Sequence, residues 1–185
     1  MRQRALLSLS SLLALLSVVL FGVATAAAQN VRVRIGVLGH SAPLAVDSLA
    51  SAFDVAASRG ATFAAVAAVL AELKVPIDTR DSARGMVGVM RIAKLRTFAG
   101  APISRFLSCG NGIIGANADN WRIYITALAF VDAKDSANTV LRVAMVGGAE
   151  DIQGSSKDPV ACGSTGGFEN FVFDRVKKRL AWPKP

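Results

Sequence analysis

Histidine and cysteine are both scarce in this chain, and their scarcity excludes several kinds of chemistry. The 185 residues include one histidine, His40, and two cysteines, Cys109 and Cys162. One histidine cannot build a metal site of several histidines, and His40 lies in the turn-forming segment Gly39–Pro43, outside the predicted sheet. A histidine-based catalytic triad is therefore not expected in the sheet domain.

Other catalytic signals are also weak. Three serines are candidate nucleophiles for a hydrolase, but the sequence supplies no base for them: Ser104, Ser108 and Ser164. The turn Gly163–Gly167 resembles an anion-binding turn, yet it lacks the Gly-Lys-Ser/Thr ending of a phosphate-binding loop, and a helix cap beside a disulfide explains it equally well. Three acids could gather around calcium, but their spacing fits no EF-hand: Glu150, Asp151 and Asp158. We expect no enzyme activity, no metal site and no cofactor.

The only long hydrophobic run stands at the N-terminus. Met1–Arg4 is basic, Ala5–Val23 is apolar, and Ala24–Ala28 supplies the small residues that signal peptidase requires. The pattern predicts a signal peptide over residues 1–28, cleaved after Ala28, and a periplasmic or secreted protein. An uncleaved anchor is the alternative, because the apolar run is nearly long enough to cross a bilayer. No cysteine follows the run, which excludes a bacterial lipoprotein anchor.

Acidic residues are fewer than basic ones. The chain has a formal net charge of +8, and without Arg2 and Arg4 it retains 19 Lys and Arg against 13 Asp and Glu. Such an excess favours anionic partners such as phosphorylated glycolipids or acidic polysaccharide, although a soluble exported protein with a basic surface would have the same composition. No nucleic-acid motif appears. Four neighbouring cations are the predicted contacts for an anionic ligand: Arg91, Lys94, Arg96 and Arg105.

The segment from Trp121 to Val146 predicts the centre of the fold. Trp121–Val131 and Thr139–Val146 are rich in β-branched and aromatic residues and contain no proline, and the polar residues 132–138 between them are typical of a hairpin loop. Cys109 precedes this hairpin and Cys162 follows it. In an oxidising compartment the two cysteines are expected to form a disulfide, with Cα atoms about 4.4–6.8 Å apart.

The flanking segments complete an α+β pattern. Residues 29–49 are interpreted as an N-terminal arm, in which Val31–Leu38 alternates like an edge strand and the segment up to Ser48 is a linker; residues 50–185 form the domain. Strands are predicted at 52–58 and 86–96, and loops at 98–119 and 150–163. A first helix is predicted between Thr62, as its N-cap, and Pro76, which ends it. A second, C-terminal helix is predicted with Ser164 or Thr165 as its N-cap. The expected fold is a single curved antiparallel sheet with helices packed on one face.

Two segments carry a resemblance to a known family. Ala71-Glu-Leu-Lys-Val-Pro-Ile-Asp-Thr79 ends the first helix, and Asp81-Ser-Ala-Arg-Gly85 precedes a strand. This pattern, over roughly residues 50–95, resembles the helix-grip domains of the BamC-type lipoproteins, accessory parts of the outer-membrane assembly machine. The resemblance implies a non-catalytic envelope protein that works by contact with other proteins or surfaces. The alternative is a carrier that holds an apolar or anionic lipid-like ligand in a cavity between sheet and helix.

Overall fold

The computed structural model describes residues 32–154, 156 and 158–181. The predicted signal peptide and the first residues of the predicted arm lie outside the described residues. Thirteen strands and three α-helices are present in the described part of the chain. The strands are β1 Arg34–Ile35, β2 Leu44–Ala45, β3 Ser51–Val55, β4 Thr79–Asp81, β5 Met86–Leu95, β6 Thr97–Phe98, β7 Ala101–Pro102, β8 Leu107–Ser108, β9 Asn111–Gly112, β10 Gly115–Ala116, β11 Arg122–Ala133, β12 Thr139–Glu150 and β13 Val160–Ser164. The helices are α1 Arg59–Glu72, α2 Asn117–Asn120 and α3 Gly167–Ala181.

The central hairpin is confirmed. β11 and β12 pair antiparallel without interruption from Arg122 opposite Glu150 to Ala133 opposite Thr139. The turn is held by Asp135, whose carboxylate accepts hydrogen bonds from the backbone N–H groups of Ala137 and Asn138. The Asn138 side-chain amide, followed by the Ala137 N–H, keeps the pKa of Asp135 below its ordinary value of 3.8, because both donate to the ionised form.

Seven antiparallel strands form the main sheet, in the order β4-β5-β11-β12-β13-β8, with β3 pairing the first half of β12. The sheet is open, and its mixture with helices confirms the predicted α+β class. β13 was not expected, because residues 150–163 were predicted to be loop. Its short Ala-Cys-Gly sequence has little strand propensity, so pairing with the edge of β12 decides its conformation.

Both long helices pack on one face of the sheet, as predicted. The apolar side of α1, including Phe63, Val66 and Leu70, and the stripe Phe168, Val172 and Val176 of α3 are buried in one core. The predicted cap of the first helix is wrong. The helix begins at Arg59, four residues earlier than a Thr62 cap would allow, because the Ser58 hydroxyl accepts the Ala61 N–H and the Arg59 guanidinium donates to carbonyls of Ala83 and Val131.

The N-terminal arm covers part of the opposite face of the sheet. Its Val37 and Val46 are buried in a second apolar cluster with Leu128, Phe130 and Val146 from the central hairpin. The segment before Ser48, predicted to be a linker, is instead structured: β2 pairs with β1, and Val46 is fully buried at the start of a short 3-10 helix. The cause is that the central strands are apolar on both faces, so the second face also requires a cover.

Candidate functional site

Cys109 and Cys162 form a disulfide with their Cα atoms 4.4 Å apart, which confirms the predicted pairing. The bond joins β13 to the loop that follows β8. No free cysteine remains in the described residues. A disulfide fits a protein that resides in an oxidising compartment.

The four predicted anionic-ligand contacts do not form one strip. Lys94 lies opposite Ile123, whose side chain is buried on the helix side of the sheet. The pairing of β5 with β11 has a register shift between Ile125 and Ala127 of β11. Opposite this shift, Arg91 of β5 has a left-handed backbone conformation (φ 55°). Arg91 lines a pocket on the arm side of the sheet. Arg96 is exposed in the turn between β5 and β6, and Arg105 ends the 3-10 helix Ile103–Arg105. The sequence could not predict this division, because one bulge reverses the faces of the residues around it.

Lys94 and Phe171 of α3 line a common cleft, and Arg105 approaches the Phe171 ring from outside its lining. A cleft of about 510 Å³ lies between the end of α1, the end of β5 and the first half of α3. We call it the basic cleft, and its principal lining residues are Leu73, Lys74, Lys94, Phe98, Phe171 and Arg175. Among the described residues that line it, Glu72 is the only one with a carboxylate, and it is ion-paired with Arg179. Within the described part of the chain, Lys74, Lys94 and Arg175 have no ion-pair partner.

Two arginines approach the ring of Phe171. The Arg175 guanidinium carbon is 4.6 Å from the ring centroid and that of Arg105 is 5.8 Å away. Contact with the negative face of an aromatic ring holds a guanidinium in place while leaving its N–H donors free for an anion. The basic cleft therefore has an apolar floor and one pre-oriented cation, Arg175, at its rim.

Lys74 reaches the cleft from a backbone conformation that normally favours glycine. Its φ is 54°, and it follows the last residues of α1 in a Schellman motif, in which the Lys74 N–H donates to Ala71 O and the Val75 N–H donates to Leu70 O, both at 3.0 Å. Glycine is the usual residue at this position because a Cβ is strained there. A lysine at this site makes the fold less stable than a glycine would, and it places an unpaired cation at the cleft.

A second pocket lies under the N-terminal arm. It has a volume of about 220 Å³ and is lined by the arm residues 35–38, by Arg91 and by side chains of β11 and β12. Two of its lining residues are bonded to each other, because the Tyr124 hydroxyl donates to Glu150 at 3.1 Å. Arg122, outside the lining, stands 3.9 Å from the same carboxylate. The cation of Arg91 is thus accompanied here by an acid, unlike the cations of the basic cleft.

Several of the groups considered for catalysis or anion binding are hydrogen-bonded within the fold. The hydroxyl of Ser104 donates to Asp119 and that of Ser164 donates to Glu169, each at 2.6 Å, while His40 bonds to the Ala42 carbonyl in its own turn. The N–H groups of Gly166 and Gly167, in the turn that resembles an anion-binding turn, donate to the hydroxyls of Ser164 and Thr165. In the described ranges no three ligand-type side chains gather, so Glu150, Asp151 and Asp158 do not form a calcium site there.

The helices of the described residues include none that is long and apolar enough to cross a membrane. No protein-family model, curated protein or solved structure matches this chain. The resemblance to the helix-grip domains of the BamC-type lipoproteins stays a prediction.

Proposed function

We propose that this chain is an exported, non-catalytic protein of the cell envelope that acts through surface contact, and that its basic cleft binds an anionic group on the surface it contacts. The observation that carries the proposal is that three unpaired cations, Lys74, Lys94 and Arg175, line one cleft, with Arg175 held over the ring of Phe171. The matching ligand chemistry is a phosphate or carboxylate carried on a sugar, as in a phosphorylated glycolipid or an acidic polysaccharide.

A contact role is favoured over a carrier role by the packing between sheet and helices. That space contains fully buried side chains from both layers, among them Phe106, Ile125, Met145 and Phe168. A carrier of an apolar ligand would need an enclosed volume of several hundred Å³ there. The basic cleft is instead open at the surface, where an anionic group still attached to a larger partner can enter.

Export is part of the proposal. The disulfide supports it, since such bonds persist in oxidising compartments, and the N-terminal pattern ends in a small-residue cleavage site. We expect the mature chain to begin at Gln29. Mass spectrometry of the protein from its native envelope tests this, and an intact Met1 would contradict it.

The binding test uses two residues that share the same strained backbone but lie on opposite faces of the sheet. Lys74 and Arg91 both have left-handed φ values, 54° and 55°, so replacing either one by glycine relieves strain. We expect Lys74→Gly and Arg91→Gly to leave the free energy of unfolding unchanged or raise it by up to about 1 kcal/mol. Only Lys74→Gly should weaken anion binding, because only Lys74 lines the basic cleft.

Isothermal titration calorimetry measures the affinity for two ligands. A bisphosphorylated glucosamine disaccharide without acyl chains represents the phosphorylated glycolipid, and alginate represents the acidic polysaccharide. Lys74→Gly and Lys94→Ala should each lower the affinity about three- to tenfold, and raising salt from about 50 to 500 mM should lower it further. Equal losses in Lys74→Gly and Arg91→Gly, or binding that is indifferent to salt, would reject the basic cleft as the site.

A further inference from the structure

The hairpin formed by β9 and β10 presents two isoleucines to solvent. Gly112 pairs with Gly115, so Ile113 and Ile114 form the two-residue tip. Ile113 is fully exposed and Ile114 is 65% exposed, which makes them the most exposed large hydrophobic residues in the described part of the chain. Tips of this length usually contain asparagine, aspartate or glycine, and β-branched residues are unfavourable there.

The base of this hairpin is fixed to the sheet. Cys109, two residues before β9, is bonded to Cys162 of β13. Asn117, directly after β10, is buried; its side-chain amide donates to the Cys109 carbonyl at 3.1 Å, and its backbone N–H donates to the Gly110 carbonyl at 3.0 Å. With its base held by these bonds, the tip is presented outward and does not collapse onto the core.

The register places the hairpin at one end of the sheet together with other apolar residues and cations. Arg122, the first residue of β11, pairs with Leu95 at the end of β5 and with Glu150 at the end of β12, and β8 runs toward this same end. Exposed Leu95 lies at this end, and Ile152 follows two residues after Glu150. Lys94 and Arg96 add positive charge in the same region, whereas Arg122 is paired there with Glu150.

We propose that this end of the sheet docks on an anionic lipid membrane, with Ile113 and Ile114 inserted among the headgroups and upper acyl chains. A convex apolar tip enters a lipid interface directly, whereas a partner protein would need a matching groove. Two apolar side chains alone give weak, reversible membrane binding, so a second, electrostatic signal is required. The neighbouring cations supply it, together with the excess of 19 Lys and Arg over 13 Asp and Glu that remains without Arg2 and Arg4. The proposal rests on the proposed function in taking an anionic surface as the partner.

Vesicle co-sedimentation of the purified mature chain, which begins at Gln29 and lacks the apolar run Ala5–Val23, tests the proposal. Vesicles of phosphatidylcholine alone are compared with vesicles that contain about 30% phosphatidylglycerol, a composition that gives a strongly negative surface. The wild type should bind the anionic vesicles, and the double variant Ile113→Asp/Ile114→Asp should lose at least about tenfold in partitioning, because two apolar contacts are replaced by charges that the lipid repels. The matched control is Leu49→Asp, since Leu49 is 53% exposed and precedes β3, which pairs with the far half of β12.

Ile114→Trp gives a direct readout of insertion. With anionic vesicles, its fluorescence relative to wild type should shift to shorter wavelength and be quenched by brominated acyl chains. Binding of the double variant within about twofold of wild type, or the absence of quenching, would overturn the proposal. A different pair of results would also overturn it: the wild type does not bind vesicles, and it forms a cross-link to an envelope protein that the double variant no longer forms. If the soluble phosphorylated disaccharide still binds the basic cleft in those cases, the proposed function survives; loss of both kinds of binding would reject both.

Discussion

Glu169 illustrates how far a single residue can depart from the environment that its sequence position suggests. An acid in the first turn of α3 is favourable with the helix dipole, and on sequence grounds it would be exposed. In the fold it is only 2% exposed, and its Oε1 atom accepts the Met145 N–H at 3.2 Å and the Ser164 hydroxyl at 2.6 Å. The reason lies in the sheet. β3 pairs with β12 as far as Val143, and the pairing of β12 with β13 starts only at Gly147, so Met145 faces a gap between the two strands.

Removing this carboxylate should destabilise the protein. Glu169→Ala leaves the buried N–H of Met145 without an acceptor, which we expect to lower the free energy of unfolding by about 2–3 kcal/mol. Glu169→Gln keeps an acceptor oxygen and should lose less. Urea unfolding measures both variants, with Asp174→Ala as the control, because Asp174 is exposed on the same helix. Equal stability of Glu169→Ala and Asp174→Ala would show that the Met145 N–H has another acceptor when the carboxylate is removed.

At the level of elements, the sequence predicts well where its periodicity is strong. The central hairpin, β5 and the buried faces of both long helices all follow patterns that local chemistry imposes. The predictions that failed concern short segments whose conformation depends on distant partners. Ser58 caps α1 because the Arg59 side chain donates hydrogen bonds to carbonyls of β11 and of the turn before β5. β13 forms a strand because it pairs with the edge of β12. Neither partner is visible in the local sequence.

The disulfide links two of these weakly signalled segments, and its loss should affect both. Cys109 and Cys162 are 53 residues apart, so in the chain-entropy model their bond restricts the unfolded chain by about 4 kcal/mol. We expect the double variant Cys109→Ser/Cys162→Ser to lose a comparable part of the free energy of unfolding in guanidinium titration. Wild type unfolded with a reducing agent is the matched comparison and should behave alike. A loss below about 1 kcal/mol would mean that β13 and the hairpin are held without the bond.

At the scale of the whole molecule, the candidate sites depend on which face each residue occupies. The sequence could group Arg91, Lys94, Arg96 and Arg105 only by proximity along the chain, and the bulge in β5 then separates them. The net positive charge of the molecule, by contrast, can be read directly from the sequence. The basic cleft itself includes Lys74 and Arg175, which are far apart in sequence and meet only because α1 and α3 pack side by side. Tertiary packing therefore creates the site, and no local pattern could have indicated it.

The arm is the other feature that only the complete fold explains, and glycines allow its close approach. Gly148 of β12 lies directly beneath Leu38, and a Cβ added at Gly148 would stand 2.6 Å from the Leu38 Cβ, far inside van der Waals contact. The replacement Gly148→Ala should therefore push the arm away from the sheet and lower the free energy of unfolding by about 1–3 kcal/mol. Gly163→Ala is the matched control on the neighbouring strand, because nothing lies within 4 Å of a Cβ built there.

Hydrogen exchange followed by mass spectrometry measures the effect directly. In Gly148→Ala, the amide of Val46, which donates to the Val33 carbonyl at 2.8 Å, should lose protection together with the rest of the arm. The core strands β11 and β12 should remain protected, because their own pairing is unchanged. If the arm stays protected in Gly148→Ala, or if Gly163→Ala releases it equally, then close packing of Leu38 on Gly148 is not what holds the arm on the sheet.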